Sequence, residues 1–373
     1  MTRANRIFLV GTLPPPVHGN ALVTAAVRER LVALGAPIYT VNIAASSLNR
    51  ALQARFARVR KILVGLGCFA FEATRNPGST LYLAVSGGWG QVYDLIFVIL
   101  ARFYGLRIYL HHHNIVYMSE HWRLTKWLAQ VAGSNATHIV ASEKIGRTLR
   151  ELYPSVSRTY PLSAVIVTET PPGAALRERS EVRAIGFLGN ISEAKGIFEF
   201  LRVAEDLRDR NCELQVLIAG PFQGAVVEAS FRNRLRELPS VCYIGPVYGR
   251  RKSEFFDSID VLLFPVRKEY EGIVIHEAMS FGVPVIARDS GCIAEIVNSE
   301  VGCLVNGLAD FKEVALANIS RWVEEPEKLR HASLLARSRF SELRELNLNM
   351  LDALCFELIG MPYERTNRET AVQ

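Results

Sequence analysis

Short apolar runs alternate with segments of helical spacing along nearly the whole chain, and this alternation restricts the fold more than any other feature. The run Ile7–Val10 leads into a Pro- and Gly-rich turn, and apolar residues then recur at helical spacing from Ala21 to Leu34. Strands that alternate with helices form parallel βαβ units, so the sequence predicts an α/β fold with doubly wound sheets. The same pattern predicts further strands at 38–43, 80–85, 107–110 and 138–141 and a helix at 92–104.

The alternation begins again after a break. Residues 163–180 are rich in Pro, Thr and Arg and poor in large apolar residues, which is typical of a linker. We therefore predict two Rossmann-like domains, 1–175 and 181–340, with a cleft between them at the carboxyl ends of their strands. Residues 341–373 begin with a helical pattern and could pack back across the hinge. In the second domain, strands are predicted at 184–188, 214–219, 241–244, 261–264 and 283–287, and a helix at 196–207.

Composition excludes several classes of protein. The chain has 373 residues, of which 49% are hydrophobic and 21% charged, so disordered, fibrous and low-complexity proteins are excluded. The longest apolar stretches, 62–71 and 95–101, are shorter than the ~20 residues that a membrane-spanning helix needs. A Pro-rich turn stands where a signal peptide would have its hydrophobic region, so we expect a cytoplasmic protein. The six cysteines include no CxxC pair, which favours buried thiols over disulfides or zinc ligands.

Charge is distributed unevenly between the two halves. The net charge of +6 is the sum of +12 in residues 1–180 and −6 in residues 181–373. A basic half can attract nucleic acid, anionic lipid headgroups or phosphorylated small molecules, and charge alone does not choose among them.

One segment of the basic half could contact a membrane. Residues 50–71 combine five basic side chains with apolar residues at helical spacing, namely Leu52, Phe56, Val59 and Leu63. Such a helix could lie on an anionic membrane surface. It could equally pack on the core and leave its basic face in solvent.

The most informative stretch runs from Glu269 to Ile286 and reads EYEGIVIHEAMSFGVPVI. A predicted strand leads into a loop with two carboxylates, and a helix opens near Gly272. The free N–H groups at the start of a helix bind phosphate. Glu269 precedes this helix and Glu277 lies within it, where carboxylates can accept hydrogen bonds from ligand hydroxyls. A nucleotide sugar offers both phosphates and hydroxyls; the alternative is a pair of solvated surface glutamates.

This stretch resembles the signature of the retaining GT-B glycosyltransferases of the glycosyltransferase 4 group, an E-x7-E pattern with E-A-M-A-x-G-x-P-V-I. The resemblance implies that Glu269 contacts hydroxyls of a donor sugar and that Glu277 contacts the ribose. It also implies that backbone N–H groups of Gly272, Ile273 and Val274 lie near the diphosphate. The residues that match the signature are Glu269, Glu277, Ala278, Met279, Gly282, Pro284, Val285 and Ile286.

A second motif, GFLGNISEAKGI, leaves a predicted strand through a Gly turn and places Lys195 just before a helix. A Lys there can neutralise a diphosphate leaving group, or it is an ordinary exposed Lys at a helix start. The resembled family usually has G-R-L-x-x-x-K-G. Lys195 matches its Lys, but Asn190 stands in place of its Arg. Either Asn190 donates a neutral hydrogen bond to the donor, or a nearby base supplies the charge, the candidates being Arg250, Arg251 and Lys252.

Two further loops resemble family segments that line the donor site. Val247 and Tyr248 follow a predicted strand where the family lines its base pocket, so we expect both to contact the nucleotide. The turn from Asp289 to Glu295 resembles the family's D-x-G-G-x-x-E. Cys292 replaces its second Gly, which puts a backbone contact at that position in question.

In the first half, the loop Pro14–Asn20 joins the first predicted strand to the first helix, where a Gly lets the backbone approach a ligand. The loop lacks GxGxxG, so a nicotinamide cofactor is not expected. The resembled family has a similar loop, whose Gly faces the donor phosphate or the acceptor. Gly19 matches that Gly, and we expect His18 beside it on the acceptor side.

Three histidines and an asparagine, His111 to Asn114, end a predicted strand. Successive strand side chains point to opposite faces, so at most two of the three histidines share a direction. Adjacent strand positions chelate metals poorly, so we expect no metal here, and the resembled family generally needs none. The resemblance implies that His113 bonds the donor sugar, with His112 and Asn114 on the acceptor side. Alternatively, these residues only cap the strand.

Together these motifs imply a retaining glycosyltransferase with Glu269, His113 and Lys195 at its reacting centre. It would move a sugar from a nucleotide-diphosphate sugar, without a cofactor, to a hydroxyl of a saccharide or lipid-linked acceptor in polysaccharide or glycolipid synthesis. We expect it in the cytoplasm or on the cytoplasmic face of a membrane. The alternatives are an epimerase or phosphorylase of the same fold, or a nucleic-acid-binding protein that uses the basic half. No recognised nucleic-acid module supports the last, so no nucleic-acid partner is expected.

Overall fold

A computed structural model describes residues 6–44, 52–170, 177–210, 213–307 and 309–363, and of residues 52–58 it gives only the backbone. The chain divides into two compact units. The first comprises the described residues up to Val167 and those from Leu346 onward, and the second runs from Thr168 to Glu345. Each unit contains one six-stranded sheet.

The sheet of the first unit is parallel throughout, with the strand order β2-β1-β3-β4-β5-β6. Its strands are β1 Ile7–Gly11, β2 Ile38–Asn42, β3 Thr80–Ala84, β4 Arg107–His111, β5 Thr137–Val140 and β6 Arg158–Pro161. Its helices before residue 168 are α1 Gly19–Ala33, α2 Leu52–Arg75, α3 Gln91–Phe103, α4 Val116–Ser119, α5 Arg123–Ala132 and α6 Glu143–Leu152.

The sheet of the second unit is also parallel, with the strand order β12-β11-β10-β7-β8-β9. Its strands are β7 Ala184–Leu188, β8 Gln215–Ala219, β9 Val241–Tyr243, β10 Val261–Phe264, β11 Val285–Arg288 and β12 Gly302–Val305. Its helices are α7 Ile197–Asp209, α8 Ala225–Leu235, α9 Arg250–Ser258, α10 Ile273–Ser280, α11 Ile293–Ile296 and α12 Phe311–Glu324. The last helix, α13 Pro326–Ile359, contributes residues to both units and begins earlier than the predicted position 341.

Two parallel sheets with helices between their strands confirm the predicted α/β fold class with two Rossmann-like halves. β7 and β10 have the predicted bounds, because both are fully buried apolar runs. The sequence did not predict β6 or β12, which are edge strands of their sheets.

The strand order reverses direction once in each sheet, and this point positions the candidate site. In the second sheet, β8 and β9 follow one another outward on one side of β7, whereas β10 pairs with β7 on the other side. The loops that leave β7 and β10 therefore begin side by side. Ligands of open parallel sheets bind at such a switch point, outside the carboxyl ends of the strands.

The predicted linker at 163–180 is wrong at both ends. At its start, Ala164, Val165 and Ile166 are buried in a 3-10 turn. Arg179 is 1% exposed and belongs to the core of the second unit. Its guanidinium donates to the carbonyl oxygens of Ile259, Phe281 and Phe256 at 3.1, 2.6 and 2.8 Å. Phe256 and Phe281 lie at helix ends, where carbonyls lack intrahelical donors, so Arg179 supplies bonds that the helices cannot. Of the other predicted linker residues, 171–176 lie outside the described part of the chain.

Candidate active site

Lys195 and Glu269 meet at the switch point of the second sheet. Lys195 lies in the turn that leaves β7, and Glu269 lies in the loop that leaves β10. Lys195 Nζ donates to Glu269 Oε2 at 2.7 Å, and the two side chains are 33% and 17% exposed. A cation and a carboxylate from separate loops therefore form one partly buried pair.

The turn before α7 fits closely against the start of the Glu269 loop. Gly196 has φ +75° and ends the short 3-10 turn Glu193–Lys195. A Cβ at Gly196 would lie 2.6 Å from the carbonyl oxygen of Pro265, so a residue with a side chain would push the two loops apart. This contact fixes the backbone of Lys195 beside the Glu269 loop.

The turn after β11 supports the Glu269 loop from a second side. Ser290 Oγ accepts from the backbone N–H of Glu269 at 2.9 Å. Gly291 has φ +56°, and a Cβ there would overlap the carbonyl oxygens of Glu269 and Tyr270. The N–H of Cys292 donates to the Tyr270 carbonyl at 3.1 Å, and its thiol, which is 1% exposed, is 3.3 Å from the same oxygen. Cys292 therefore packs against this loop, and its N–H bonds the protein backbone.

Glu277, within α10, forms a second ion pair. Lys252 Nζ donates to Glu277 Oε1 at 2.6 Å, and the side chains are 34% and 17% exposed. Lys252 is on α9 and Glu277 is on α10, so this pair also joins two loop–helix connections of one sheet. Of the three bases considered as replacements for the missing Arg, the structure places Lys252 beside a predicted donor-binding residue.

Helix α10 begins where the sequence predicts a phosphate-binding end. Gly272 precedes the helix and has φ +81°, and Ile273 and Val274 form the first turn. Ile273 and Val274 are half-buried. This helix start follows directly on the loop that carries Glu269, so its N–H groups and the Glu269 carboxylate belong to one loop–helix segment.

The remaining predicted donor-site residues of the second unit differ in their exposure to solvent. Asn190 is half-buried in the turn after β7. Val247 is 5% exposed, whereas Tyr248 is 69% exposed. Arg250 Nε donates to Glu254 Oε1 at 2.8 Å, and the Arg250 side chain is 91% exposed on α9. Arg250 thus forms a surface pair within its own helix rather than joining Lys252 at Glu277.

Sequence reasoning missed a buried acid–histidine pair under the start of α10. His276 Nε2 lies 3.1 Å from Glu271 Oε1, and the two residues are 1% and 5% exposed. Glu271 precedes the helix and His276 lies in it, so the pair ties the loop to the helix interior. An acid and a histidine five positions apart across a helix start are the only sequence signal for it.

In the first unit, His113 and His18 are brought near each other. Burial, and secondarily the charge of His18, lower the pKa of His113 to about 3, so its imidazole is neutral. The His113 ring lies 4.0 Å from that of His111, measured between centroids. Among the described residues, the buried Nε2 of His113 has no hydrogen-bond partner. A buried ring nitrogen without a partner is available to a ligand.

His112 points the other way, and its place on the acceptor side stays a prediction. The residue is 1% exposed. Its Nε2 lies 2.9 Å from Nδ1 of His138, and its Nδ1 lies 3.3 Å from the Tyr117 hydroxyl. Both ring nitrogens are therefore used inside the unit. The ring contact of His111 with His113 confirms that at most two of the three histidines share a direction.

Asn114 and Gly19 lie at the starts of helices. Asn114 Oδ1 accepts from the N–H of Val116 at 2.9 Å, at the start of α4. Gly19 is the first residue of α1, and Nδ1 of His18 caps this helix by accepting from the N–H of Ala21 at 3.2 Å. Among the residues that the structure describes, no group of three His, Cys, Asp or Glu side chains is arranged to hold a metal ion. The expectation that no metal is needed stays a prediction.

Comparison with protein families gives a match for the second unit. Residues 174–338 match the family described as glycosyl transferases group 1, which bears out the glycosyltransferase part of the resemblance drawn from the sequence motifs. A capsular polysaccharide biosynthesis glycosyltransferase from Staphylococcus aureus, CapM, is 30% identical over 134 residues, 35% of this chain and 34% of the relative. A GDP-mannose-dependent alpha-mannosyltransferase from Corynebacterium glutamicum is 25% identical over 41% of this chain and 34% of the relative. The chain thus spans about a third of the length of these curated relatives.

Solved structures extend the likeness of fold to both units. Anabaena HepE in complex with UDP superposes with a TM-score of 0.69 at 14% identity, over 94% of this chain and 99% of HepE. Sucrose-phosphate synthase from Thermosynechococcus elongatus superposes with a TM-score of 0.72 at 17% identity, over 95% of this chain and 98% of the synthase. The chain therefore has the fold of these two structures, the GT-B fold.

Proposed function

We propose that this chain, whose residues 174–338 belong to the glycosyl transferases group 1 family, transfers a sugar from a nucleotide-diphosphate sugar to an acceptor hydroxyl. The observation that carries the proposal is the pair of Lys–Glu contacts beside the start of α10. Lys195 and Lys252 each pair with a carboxylate of the segment from Glu269 to Glu277, which contains the start of α10. Two cations, two carboxylates and a helix start are the set of groups that a diphosphate flanked by sugar hydroxyls needs.

When the donor binds, each Lys would leave its Glu for the diphosphate, and each Glu would bind hydroxyls of the donor instead. A diphosphate beside α10 attracts Lys195, and Glu269 then accepts hydrogen bonds from hydroxyls of the donor sugar. In the same way Lys252 takes the place of the missing Arg at the diphosphate, and Glu277 accepts from the ribose hydroxyls. In the first unit, His113 is neutral and its Nε2 is unpartnered among the described residues, so it stays the predicted ligand of a sugar hydroxyl.

The transfer step follows from these contacts. The bond between the anomeric carbon and the diphosphate oxygen breaks, and a bond to the acceptor oxygen forms on the same face of the sugar. The acceptor proton goes to the departing phosphate. Negative charge grows on that phosphate, where Lys195 and the N–H groups of Gly272, Ile273 and Val274 stabilise it. Retention of anomeric configuration is part of this proposal.

The acceptor is a saccharide or a lipid-linked saccharide in polysaccharide or glycolipid synthesis. Support comes from the basic first half and from the CapM relative, which is named for capsular polysaccharide biosynthesis. His18 and Asn114 are the acceptor-side residues of the first unit, and the protein acts in the cytoplasm.

The proposal is tested by turnover. The protein is incubated with UDP- and GDP-sugars and a panel of lipid-linked and free saccharides, and released nucleoside diphosphate and glycosylated product are measured together. Product formed in equal amount to the diphosphate supports transfer. Conversion of the donor without an acceptor indicates an epimerase, and a requirement for inorganic phosphate indicates a phosphorylase.

A further inference from the structure

Helix α3 has an apolar face that solvent reaches. Val92, Ile96, Ile99 and Phe103 recur at one face of the helix and are 38, 38, 47 and 79% exposed. The one acid on α3, Asp94, is buried and accepts from the backbone N–H of Ser86 at 2.7 Å. A helix that is apolar on its outer face as well as its inner face is normally covered by another structure.

Helix α2 repeats this arrangement. Its inner face, Ile62, Leu66 and Phe69, packs in the core, and residues 62–71 include no charged side chain. Among the outer residues of the same segment, the large apolar side chains are Leu63 at 60%, Val64 at 58% and Phe71 at 53% exposed. The sequence predicted an apolar face for the helix at 50–71. Two of its residues, Val59 and Leu63, are exposed, and the side chains of the other two, Leu52 and Phe56, lie outside the described part of the chain.

The two helices form one surface. Their inner faces meet at Phe69 and Phe97, whose ring centroids are 5.4 Å apart in an edge-to-face contact. α5 packs on the other side of α3. The outward residues of α2 and α3, from Val59 to Phe103, are called the α2–α3 face below.

Exposed tryptophans lie at the edge of this face. Trp89 immediately precedes α3 and is 80% exposed, and Trp127 on α5 is 45% exposed. Both line one cavity of about 460 Å³, together with His121, Trp122, Arg123 and Leu124. Trp side chains have an apolar body and a polar N–H, and they favour the boundary between hydrocarbon and water.

The exposed charged side chains of α3, α5 and the described part of α2 are basic. Along α3, α5 and the part of α2 from Val59, the acids are Glu72, which pairs with Arg6, and the buried Asp94. The exposed charged residues of these helices are Arg60, Lys61, Arg75, Arg102, Arg123 and Lys126.

We propose that the α2–α3 face, with Trp89 and Trp127 at its edge, docks on the surface of an anionic lipid bilayer. The apolar side chains enter the boundary of headgroups and acyl chains, and the surrounding Arg and Lys side chains contact anionic headgroups. None of the helices in the described part of the chain could span a bilayer. A second copy of the chain fits less well, because a symmetric contact would bring two basic rims together.

The experiment is co-sedimentation with vesicles, which needs no turnover and is therefore independent of the proposed sugar transfer. The full chain is mixed with vesicles of phosphatidylcholine alone or of phosphatidylcholine with phosphatidylglycerol. The variant Ile99→Ser/Phe103→Ser removes apolar contacts, and Arg102→Gln/Lys126→Gln removes charge. Val226→Ser on α8 is the matched control, because Val226 is an equally exposed apolar residue of the second unit at 81% exposure.

We expect binding to the anionic vesicles, weakened by about tenfold or more in both double variants and unchanged in Val226→Ser. All variants should keep the wild-type melting temperature, since the altered side chains are exposed. Absence of binding to anionic vesicles, or equal loss in Val226→Ser, would overturn the proposal. A vesicle-independent dimer that Ile99→Ser/Phe103→Ser dissociates would also overturn it, in favour of an interface between copies.

Discussion

Replacing Lys195 by Met separates the catalytic from the structural contribution of the Lys195–Glu269 pair. Without donor, the variant loses one partly exposed ion pair, in which the side chains are 33% and 17% exposed. Such a pair contributes about 1 kcal/mol to stability. During transfer, it loses the cation that stabilises the departing diphosphate. Removing one preorganised group of this kind lowers kcat by about 100- to 1000-fold, about 3 to 4 kcal/mol.

The matched control is Lys312→Met. Lys312 Nζ pairs with Asp206 Oδ1 at 3.1 Å, with side chains 27% and 29% exposed, between α12 and α7 of the same unit. Both variants should therefore lose about 1 kcal/mol in the free energy of unfolding, measured by urea denaturation. Only Lys195→Met should lose about 100-fold or more in kcat/KM, measured with saturating acceptor. If kcat/KM of Lys195→Met stays within about threefold of wild type, or falls equally in the control, Lys195 does not stabilise the leaving group.

Two further predictions concern stability. Arg179→Met should lower the free energy of unfolding by about 3 kcal/mol in urea denaturation, because the carbonyls of Ile259, Phe281 and Phe256 lose a buried charged donor; an unchanged midpoint would show that other groups satisfy these carbonyls. Stability should also fall as pH falls below about 6.5, because burial lowers the pKa of His113 to about 3 and of His138 to about 4. The folded chain keeps these rings neutral while the unfolded chain takes up protons, so each contributes up to about 1.4 kcal/mol per pH unit. Urea midpoints between about pH 7.5 and about pH 5 measure this dependence of stability on pH. The slope should be smaller in His138→Gln and unchanged in His331→Gln, which replaces an exposed histidine. Equal slopes in the wild type and both variants would contradict the prediction.

The predictable part of the fold is the part that is locally coded. Central parallel strands such as β7 and β10 are continuous apolar runs, because both of their faces are buried. The edge strand β6, Arg-Thr-Tyr-Pro, carries a charge and a Pro, and such strands have no distinct pattern. The sequence pattern assigned Arg179 to a linker, because its three carbonyl partners lie about 80 to 100 positions away in the chain and leave no local signal.

In the candidate site, too, some residues could be predicted from local sequence and others depend on tertiary structure. Glu269, Glu277 and Lys195 are identified from motifs in which spacing and chemistry coincide. The partner of Glu277 is not, since Lys252 lies in another helix and three basic residues in a row are equivalent in sequence. The inward direction of His112 also depends on tertiary structure, because strand alternation states that neighbouring residues differ in direction but not which of them faces a ligand.

Donor binding is the most direct test of the proposed site. Thermal shifts are measured with UDP, GDP and ADP and their sugar conjugates for the wild type, for Glu277→Gln and for Glu228→Gln, a surface glutamate that pairs with Arg232 on α8. One nucleotide should raise the melting temperature of the wild type and of Glu228→Gln, and the shift should be lost in Glu277→Gln. The contradicting result is a nucleotide-dependent shift that Glu277→Gln retains in full, since the nucleotide would then bind elsewhere.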